Sequence, residues 1–418
     1  MRPEMCSVKQ TAFSVTIFPW MRPPVYLDHA ATTPVRPEVL EVMMPYLTNN
    51  TFGNPSSAHR FGRAARAGIE QARRQIAEAV GAEPSQVIFT SGGTEADNLS
   101  IVGAALAARD RGAAMSVAVS AIEHKAVLAA AHAVCHWGGR ELLLPVDGSG
   151  MLDLPALDRA LVQTPAVVSV MWVNNEVGVI QPVGEIAGRC RQAGVVFHTD
   201  AVQALGKVPV SVERLCCTLL TISGHKIGAP KGIGALIVRD RKAVEAIIHG
   251  GGQQFGIRPG TENVAGAVAL GRAAQLAAAE QESLAARLGT LRDELAARLK
   301  AAVPDLAVNA EQSTRAPHLV SIAVQGADSE ALLMHLDLAG VAVSSGSACS
   351  TGAVEPSHVL IAMGVSRELA LGTIRFSFGR DTTRAEVDRA VEVVPAVVAK
   401  VRKLAGVLGR DGGMAVSD

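Results

Sequence analysis

The residues Leu220-Thr221-Ile222-Ser223-Gly224-His225-Lys226 set an apolar, β-branched run directly before a short polar cluster. Such a run reads as a buried strand, and whatever follows it lies at the strand's carboxyl end. A lysine delivered there by a rigid strand is partly desolvated, which lowers the pKa of its amine and makes it a usable nucleophile. An isolated strand-end lysine more often just reaches solvent along its aliphatic stem. The assignment of Lys226 therefore rests on the rest of the chain.

Working outward, the same pattern recurs. Val195-Val196-Phe197-His198 runs into Thr199-Asp200-Ala201-Val202-Gln203, and Val167 to Trp172 runs into Asn174-Asn175-Glu176. Ser116 to Ser120 precedes Glu123-His124-Lys125, and Val87 to Thr90 precedes Ser91-Gly92-Gly93-Thr94-Glu95-Ala96, which opens a helix through about Ala108. Strands alternating with helices predict a mostly parallel sheet, whose ligands sit beyond the carboxyl ends of its strands. The glycine-rich start at Gly93 and Thr94 suits an anion, because helix N-termini carry unpaired N–H groups and glycine lets the backbone come close. Taken singly, His124 reads as a structural histidine, Asp200 as a helix cap and Asn175 as a turn residue. Together they converge on one rim with an amine, an anion cradle, a carboxylate, an imidazole and an amide. That set matches the needs of pyridoxal 5′-phosphate: a lysine for the aldehyde, N–H groups for the phosphate and a carboxylate for the pyridinium nitrogen.

The flanks are less specific. Tyr26 to Pro34 is a short strand entering small residues, a helix begins near Pro37, and Gly53-Asn54-Pro55-Ser56-Ser57 is turn chemistry before a helix from about His59 to Val80. After Lys226 comes a strand at Ala235 to Val238, then a glycine-rich segment from Gly250 to Asn263 that reads as a flexible loop. Leu284, Leu288, Leu291, Leu295 and Leu299 recur at helical spacing and predict packing, not chemistry. Strands at 318–324 and 341–343 around a helix from Ser329 to Leu338 predict a second, smaller α/β lobe. The loop Ser344 to Gly352 surrounds Cys349 with small residues, a setting that favours a reactive thiol. Arg375, within the apolar strand Thr373 to Phe378, needs a carboxylate partner. The last ten residues, GRDGGMAVSD, are expected to fray.

Composition narrows the partners. The chain has 418 residues, with 39 Lys+Arg against 39 Asp+Glu, so no net field draws it to nucleic acid or to an anionic membrane. Aromatic residues make up 3%, too few for a base-stacking surface, and no apolar run approaches the ~18 residues of a membrane span. The six cysteines form no C-x-x-C pair or Cys/His ligand spacing, which argues against a metal site or a disulfide framework and for a reducing, cytoplasmic setting. The first twenty residues match neither a signal nor a transit peptide, and Met21 is an alternative start.

The segments YLDHAATTP, GNPSSAHRFG, SGGTEADN, IEHKAV, VNNEVG, HTDAVQ, SGHKIGAPKGIGAL, RPGTEN, SSGSACSTG and IRFSFGR, in this order from Tyr26 to about Leu404, resemble the cysteine desulfurases of the nitrogen-fixation and iron-sulfur-cluster type. The SSGSACSTG loop is similar to that of the first desulfurase group. The resemblance implies the α/β fold of fold-type I pyridoxal-phosphate enzymes. In it a large domain (36–275) with a mostly parallel seven-stranded sheet is joined to a small α/β domain (25–35 with 276–408) carrying the cysteine loop. Residues 1–24 would be a disordered extension and 409–418 a flexible tail. It implies Lys226 as the cofactor-binding lysine, Asp200 at the ring nitrogen, His124 stacked on the ring, and Asn175 and Gln203 at the phenolic oxygen. Gly93, Thr94, Ser223 and His225 would hold the phosphate, with Thr261 reaching it from the second subunit of a homodimer. Arg375, helped by Asn175, would bind the substrate carboxylate, and Cys349 would be the nucleophile. The activity so implied converts L-cysteine to L-alanine, leaving sulfur as a persulfide on Cys349 for an acceptor such as an iron-sulfur scaffold protein or a transfer-RNA thiolation enzyme.

Three positions depart from the family pattern. His29 and Asp97 stand where the resemblance leads one to expect Asn, and Gln254 where Glu is common. Rival activities on the same scaffold are a selenocysteine lyase, another pyridoxal-phosphate lyase or a transaminase, and a transaminase would have no use for Cys349. A non-catalytic assembly subunit is the alternative of a different class, and it would leave Lys226, Asp200 and Cys349 without a role.

Overall fold

The computed structural model describes residues 24–48, 51–345 and 355–411. Its strands are β1 (Val25–Tyr26), β2 (Val87–Thr90), β3 (Ser116–Ser120), β4 (Arg140–Leu144), β5 (Val167–Ser169), β6 (Val196–Asp200), β7 (Leu219–Ser223), β8 (Gly234–Val238), β9 (Leu306–Val308), β10 (Leu319–Val324), β11 (Val341–Ala342) and β12 (Thr373–Ser377). Seven of them make one sheet in the order β2-β8-β7-β6-β5-β3-β4. β3 through β7 pair in parallel, with β4 parallel to β3 at the edge. β8 runs antiparallel to both β7 and β2. Two reversals restore the direction, so β2 points the same way as β7. Every strand of this sheet except β8 therefore delivers its carboxyl end to one edge. The sheet is covered on both faces, and β2, β3, β5, β7 and β8 are buried at every residue, as near-continuous apolar runs in a parallel sheet require.

The large core lies between this sheet and its helices. Helix Arg60–Val80 turns Ile69, Ala72, Ile76 and Val80 inward at spacings of three and four, and ends at Gly81 in the left-handed conformation, φ 62°. It crosses helix Val264–Ala302 closely. A Cβ on Gly271 would come within 2.7 Å of the Ala72 backbone, so glycine is what lets the two helices touch.

A second core gathers Val25, Leu27, β10, β12 and helix Arg384–Asp411. Here β12-β10-β9 form an antiparallel sheet, and β1 pairs with β11. The 39-residue helix Val264–Ala302 serves both cores: Ala267 to Ala277 face the first, and Leu288, Leu291, Leu295 and Leu299 face the second.

Some boundaries differ from expectation. The run Val167 to Trp172 is strand only as far as Ser169. Val170 and Trp172 then donate to the carbonyls of His198 and Asp200 as the chain climbs onto the rim. β4 escaped the sequence pattern because it is an edge strand with mostly uncovered side chains. Residues 409–411, expected in a tail, continue the last helix. Residues 1–23 of the expected N-terminal extension and 412–418 of the tail lie outside the described residues.

Candidate active site

A cavity of about 420 Å³ opens at the common carboxyl edge of the large sheet. β2 brings Gly93 and Thr94 to it, β3 brings His124, β5 brings Met171 and Asn175, β6 brings Asp200 and Gln203, and β7 brings Ser223, His225 and Lys226. Arg375 of β12 and Ser344 enter from the second core. Apart from Thr261 and Cys349, every residue assigned to the site from sequence lines this one cavity.

The amine of Lys226 donates to the carbonyls of Ala30 at 2.6 Å and Ala31 at 2.7 Å. Burial, with the positive charge of Arg375, pushes its pKa down to about 8. Asp200 is buried at the end of β6, where its Oδ1 accepts from the Val202 N–H at 2.8 Å. Burial raises its pKa, opposed by His124 and Lys226. The His124 ring faces the cavity while its Nδ1 accepts from Ala126 N at 3.1 Å, capping helix Lys125–Cys135. Burial lowers its pKa and keeps the imidazole neutral.

The cradle is a helix N-terminus. Helix Gly93–Asp110 points its first turn at the cavity, and a Cβ on Gly93 would stand 3.1 Å from Val202 Cγ2, leaving little room for a larger residue. His225 Nδ1 lies 3.2 Å from Thr32 Oγ1, and burial pushes its pKa down to about 4, so it acts as a neutral hydrogen-bonding ring. Gln203 is already engaged on both sides of its amide, donating to Ala30 O at 2.9 Å and lying 3.1 Å from His318 Nε2.

Arg375 is buried; its Nη2 donates to Asp28 at 2.7 Å and its Nη1 to the carbonyl of Asn175 at 2.6 Å. Its Nε has no partner among the described residues. Behind Asp200 sits a polar floor that sequence reasoning missed. His198 contacts Ser169 Oγ at 2.9 Å and Thr221 Oγ1 at 3.0 Å, and its Nε2 lies 3.7 Å from Asp97. Glu123 accepts from Met171 N at 2.5 Å, and burial pushes its pKa up to about 8. The Ala30 and Ala31 carbonyls and Asp28 were missed as well. The YLDHAATTP motif was the available signal, but its backbone contacts to Lys226 carry no side-chain signature.

The three departures fall in different places. Asp97 lines the cavity, His29 lies outside it with its ring 4.8 Å from Tyr26, and Gln254 is buried beneath the glycine-rich segment. Gln254 there bonds Phe89 N at 3.0 Å and Glu262 at 2.8 Å, so the segment expected to be a flexible loop is anchored to β2. Thr261 is exposed and does not line this chain's own cavity. Cys349 lies outside the described residues.

A family model, aminotransferase class-V, matches residues 25–390. The chain belongs to the class-V aminotransferase family. It is 43% identical to a protein named cysteine desulfurase IscS from Dictyoglomus turgidum over 384 residues, 92% of this chain and 97% of that one. It is 44% identical to another of that name from Methanosarcina thermophila, covering 91% and 93%. A solved structure of a NifS-like protein superposes with a TM-score of 0.83 at 33% identity, over 90% of this chain and all of that one. The fold is that of the fold-type I enzymes of this family, whose cofactor is pyridoxal 5′-phosphate. The residues fit that group: a desolvated amine, a helix N-terminus that a Cβ at Gly93 would crowd and a buried carboxylate share one cavity. Among the described residues no cluster suited to a metal ion occurs, and no helix is long and apolar enough to cross a membrane.

Proposed function

We propose that this protein is a cysteine desulfurase, taking sulfur from L-cysteine, releasing L-alanine and passing the sulfur through a persulfide on Cys349. The observation that carries this reading is the convergence of Lys226, Asp200, His124 and Arg375 on one cavity, whose wall also includes Ser344, five residues before Cys349. Five residues of extended chain span at most about 17 Å, a length that allows the thiol to reach the cavity. The 43–44% identity to relatives named cysteine desulfurases supports the same reading.

When bound, pyridoxal 5′-phosphate supplies an aldehyde for the substrate amine and a ring that accepts the electron pair left by the α-proton. Gly93, Thr94, Ser223 and His225 would hold its phosphate, with Thr261 of a second subunit completing the cradle in a homodimer. Asp200 would keep a proton on the ring nitrogen, His124 would lie against the ring, and Asn175 and Gln203 would bond its phenolic oxygen. Arg375 binds the substrate carboxylate. The Lys226 amine, with a pKa near 8, is poised to take and return protons close to neutrality. The Cys349 thiolate attacks the cysteine sulfur; the S–S bond forms as the carbon–sulfur bond breaks, and the electron pair stays with the carbon skeleton that becomes alanine. The persulfide sulfur then goes to an acceptor, an iron-sulfur scaffold protein or a thiolation enzyme, in the cytoplasm. Residues 36–275 form the cofactor domain, and 25–35 with 276–408 the domain carrying the thiol.

The test is parallel measurement of alanine and sulfide from L-cysteine and a reductant. Equal yields from the wild type, with Cys349→Ala losing both, support the reading. Alanine formation that survives the substitution refutes it.

A further inference from the structure

A second cavity, of about 330 Å³, lies where the two cores meet, on the flank of the Lys226 segment. Its wall is largely apolar: Ala277, Leu284 and Leu288 of the long helix, with Ile227 and Phe378. Lys207 faces into it. Among the described residues the one bond its amine makes is to the Lys226 carbonyl at 3.4 Å, long for an N–H···O contact. No carboxylate among the described residues pairs with Lys207. Of the other charged groups at this cavity, Arg36 holds Glu280 by two bonds, at 3.0 and 2.7 Å, and Arg380 shares Glu280 and Glu38, while Lys226 and Asp381 also line the wall. The buried Nδ1 of His29, a residue that also lines this cavity, lacks a partner among the described residues.

An ammonium buried without a counter-ion is costly, and an apolar pocket holding one is complementary to an anion with an apolar body. We propose that this cavity binds a small organic monocarboxylate, its carboxylate on Lys207 and its tail along Leu284, Leu288 and Phe378. Occupancy bears on the neighbouring site, because Lys207 touches the backbone of Lys226, whose side-chain amine is held by the carbonyls next to His29.

The pairing has a pH signature. Burial pushes the Lys207 amine down to about 8, so it is charged at neutral pH and loses its charge above that. The anion requires the charged form, so its binding takes up protons and weakens by roughly tenfold per pH unit above pH 8. Of the groups around the cavity, Lys226 titrates in the same range, and the other charged side chains facing it are those of Arg36, Arg380, Glu280 and Asp381. His29 and the nearby His318 are held neutral by burial. Substituting Lys207 separates its contribution from that of Lys226.

The experiment is calorimetric titration of the cofactor-loaded protein with hexanoate. Saturable one-to-one binding at pH 7, weakened at least tenfold at pH 9.5 and lost in both Lys207→Met and the cavity-filling Leu284→Trp, is expected. Absence of binding up to ~10 mM, too weak to count as a site, overturns the proposal. Binding that Lys207→Met retains, or that is insensitive to pH, overturns it equally. Melting temperatures show whether each variant is folded, and the visible band of the cofactor shows whether the Lys226 site is assembled. A failure here is thus distinguishable from a failure of the desulfurase reading.

Discussion

Arg375 and Asp28 form a partly buried ion pair, Nη2 to Oδ1 at 2.7 Å, that ties β12 to the segment just after β1. The same guanidinium donates from Nη1 to the Asn175 carbonyl of the large core at 2.6 Å. Both contacts fix the plane of the fork at the cavity wall. A point charge cannot do this, because an ammonium lacks the rigid planar fork.

Arg375→Lys should therefore raise KM for L-cysteine far more than it lowers kcat, with kcat/KM falling about 100-fold, equivalent to roughly 2.7 kcal/mol. Steady-state kinetics with sulfide detection reads this directly. A variant with unchanged KM would remove Arg375 from carboxylate binding.

Asp97 shares the cavity floor with Asp200 and Glu123. Burial raises its pKa well above the carboxylate norm, and the neighbouring carboxyls of Asp200 and then Glu123 add to the effect. A carboxyl shifted in that direction takes up a proton far more readily than an exposed one, and once protonated it is the hydrogen-bonding equivalent of an asparagine. Its cost to folding appears as pH rises above the unfolded value near 4, because the native state then holds a proton that the unfolded chain gives up. Asp97→Asn should thus leave the midpoint of the cofactor's visible pH titration within about 0.3 unit of wild type and leave the protein at least as stable at pH 7. A shift of a full unit in the spectral titration would mean that Asp97 is ionised.

How the sequence encodes this site explains what could be read from it. The strand-then-cluster rhythm exposes Asp200, Lys226 and His124, because each follows an apolar run and a parallel sheet collects its carboxyl ends on one edge. Gly93 is legible for the same reason. Asp28, Ala30 and Ala31 are not, since they act across more than a hundred residues and partly through backbone carbonyls. Asp97 and His198 resemble a helix residue and a strand residue until β6 and helix Gly93–Asp110 are packed together. β9 was missed because it is short and its middle residue, Ala307, faces outward.

Glu95 links the cradle to the glycine-rich segment. Its carboxylate takes two bonds from Arg258, at 2.6 and 3.1 Å, and one from Ser91 N at 2.8 Å. Burial pushes its pKa up, but the bonds from Arg258 and Ser91 outweigh this and hold it below the usual range. The resulting stability is present above the unfolded value near 4.3 and is lost as pH falls through the native one. Glu95→Gln should cost about 1–2 kcal/mol at pH 7, flatten the acid limb of the stability profile and weaken cofactor binding several-fold. Urea melts at pH 4 and pH 7, with absorbance titration of the cofactor, measure all three. An unchanged acid limb would show that the Arg258 pair contributes nothing.

Lys226 acts in the same sense as Glu95, in its own higher pH window. Its native pKa of about 8 lies below the value of ~10.4 expected when unfolded. Between those limits the unfolded chain binds the extra proton, so the Lys226 contribution to stability rises with pH across the window. Lys207, also pushed down to about 8, acts in the same sense, whereas the buried thiols Cys190 and Cys217, pushed up to about 12, act in the other. Comparison of cofactor-free wild type with Lys226→Met cancels those other groups. The methionine variant should be the more stable at pH 7.5, by up to about 3 kcal/mol, and the gap should close as pH approaches 10.5. Denaturant unfolding at five pH values across the window measures the gap. A gap independent of pH would show that the Lys226 amine is not desolvated in the empty cavity, and that its role must rest on position alone.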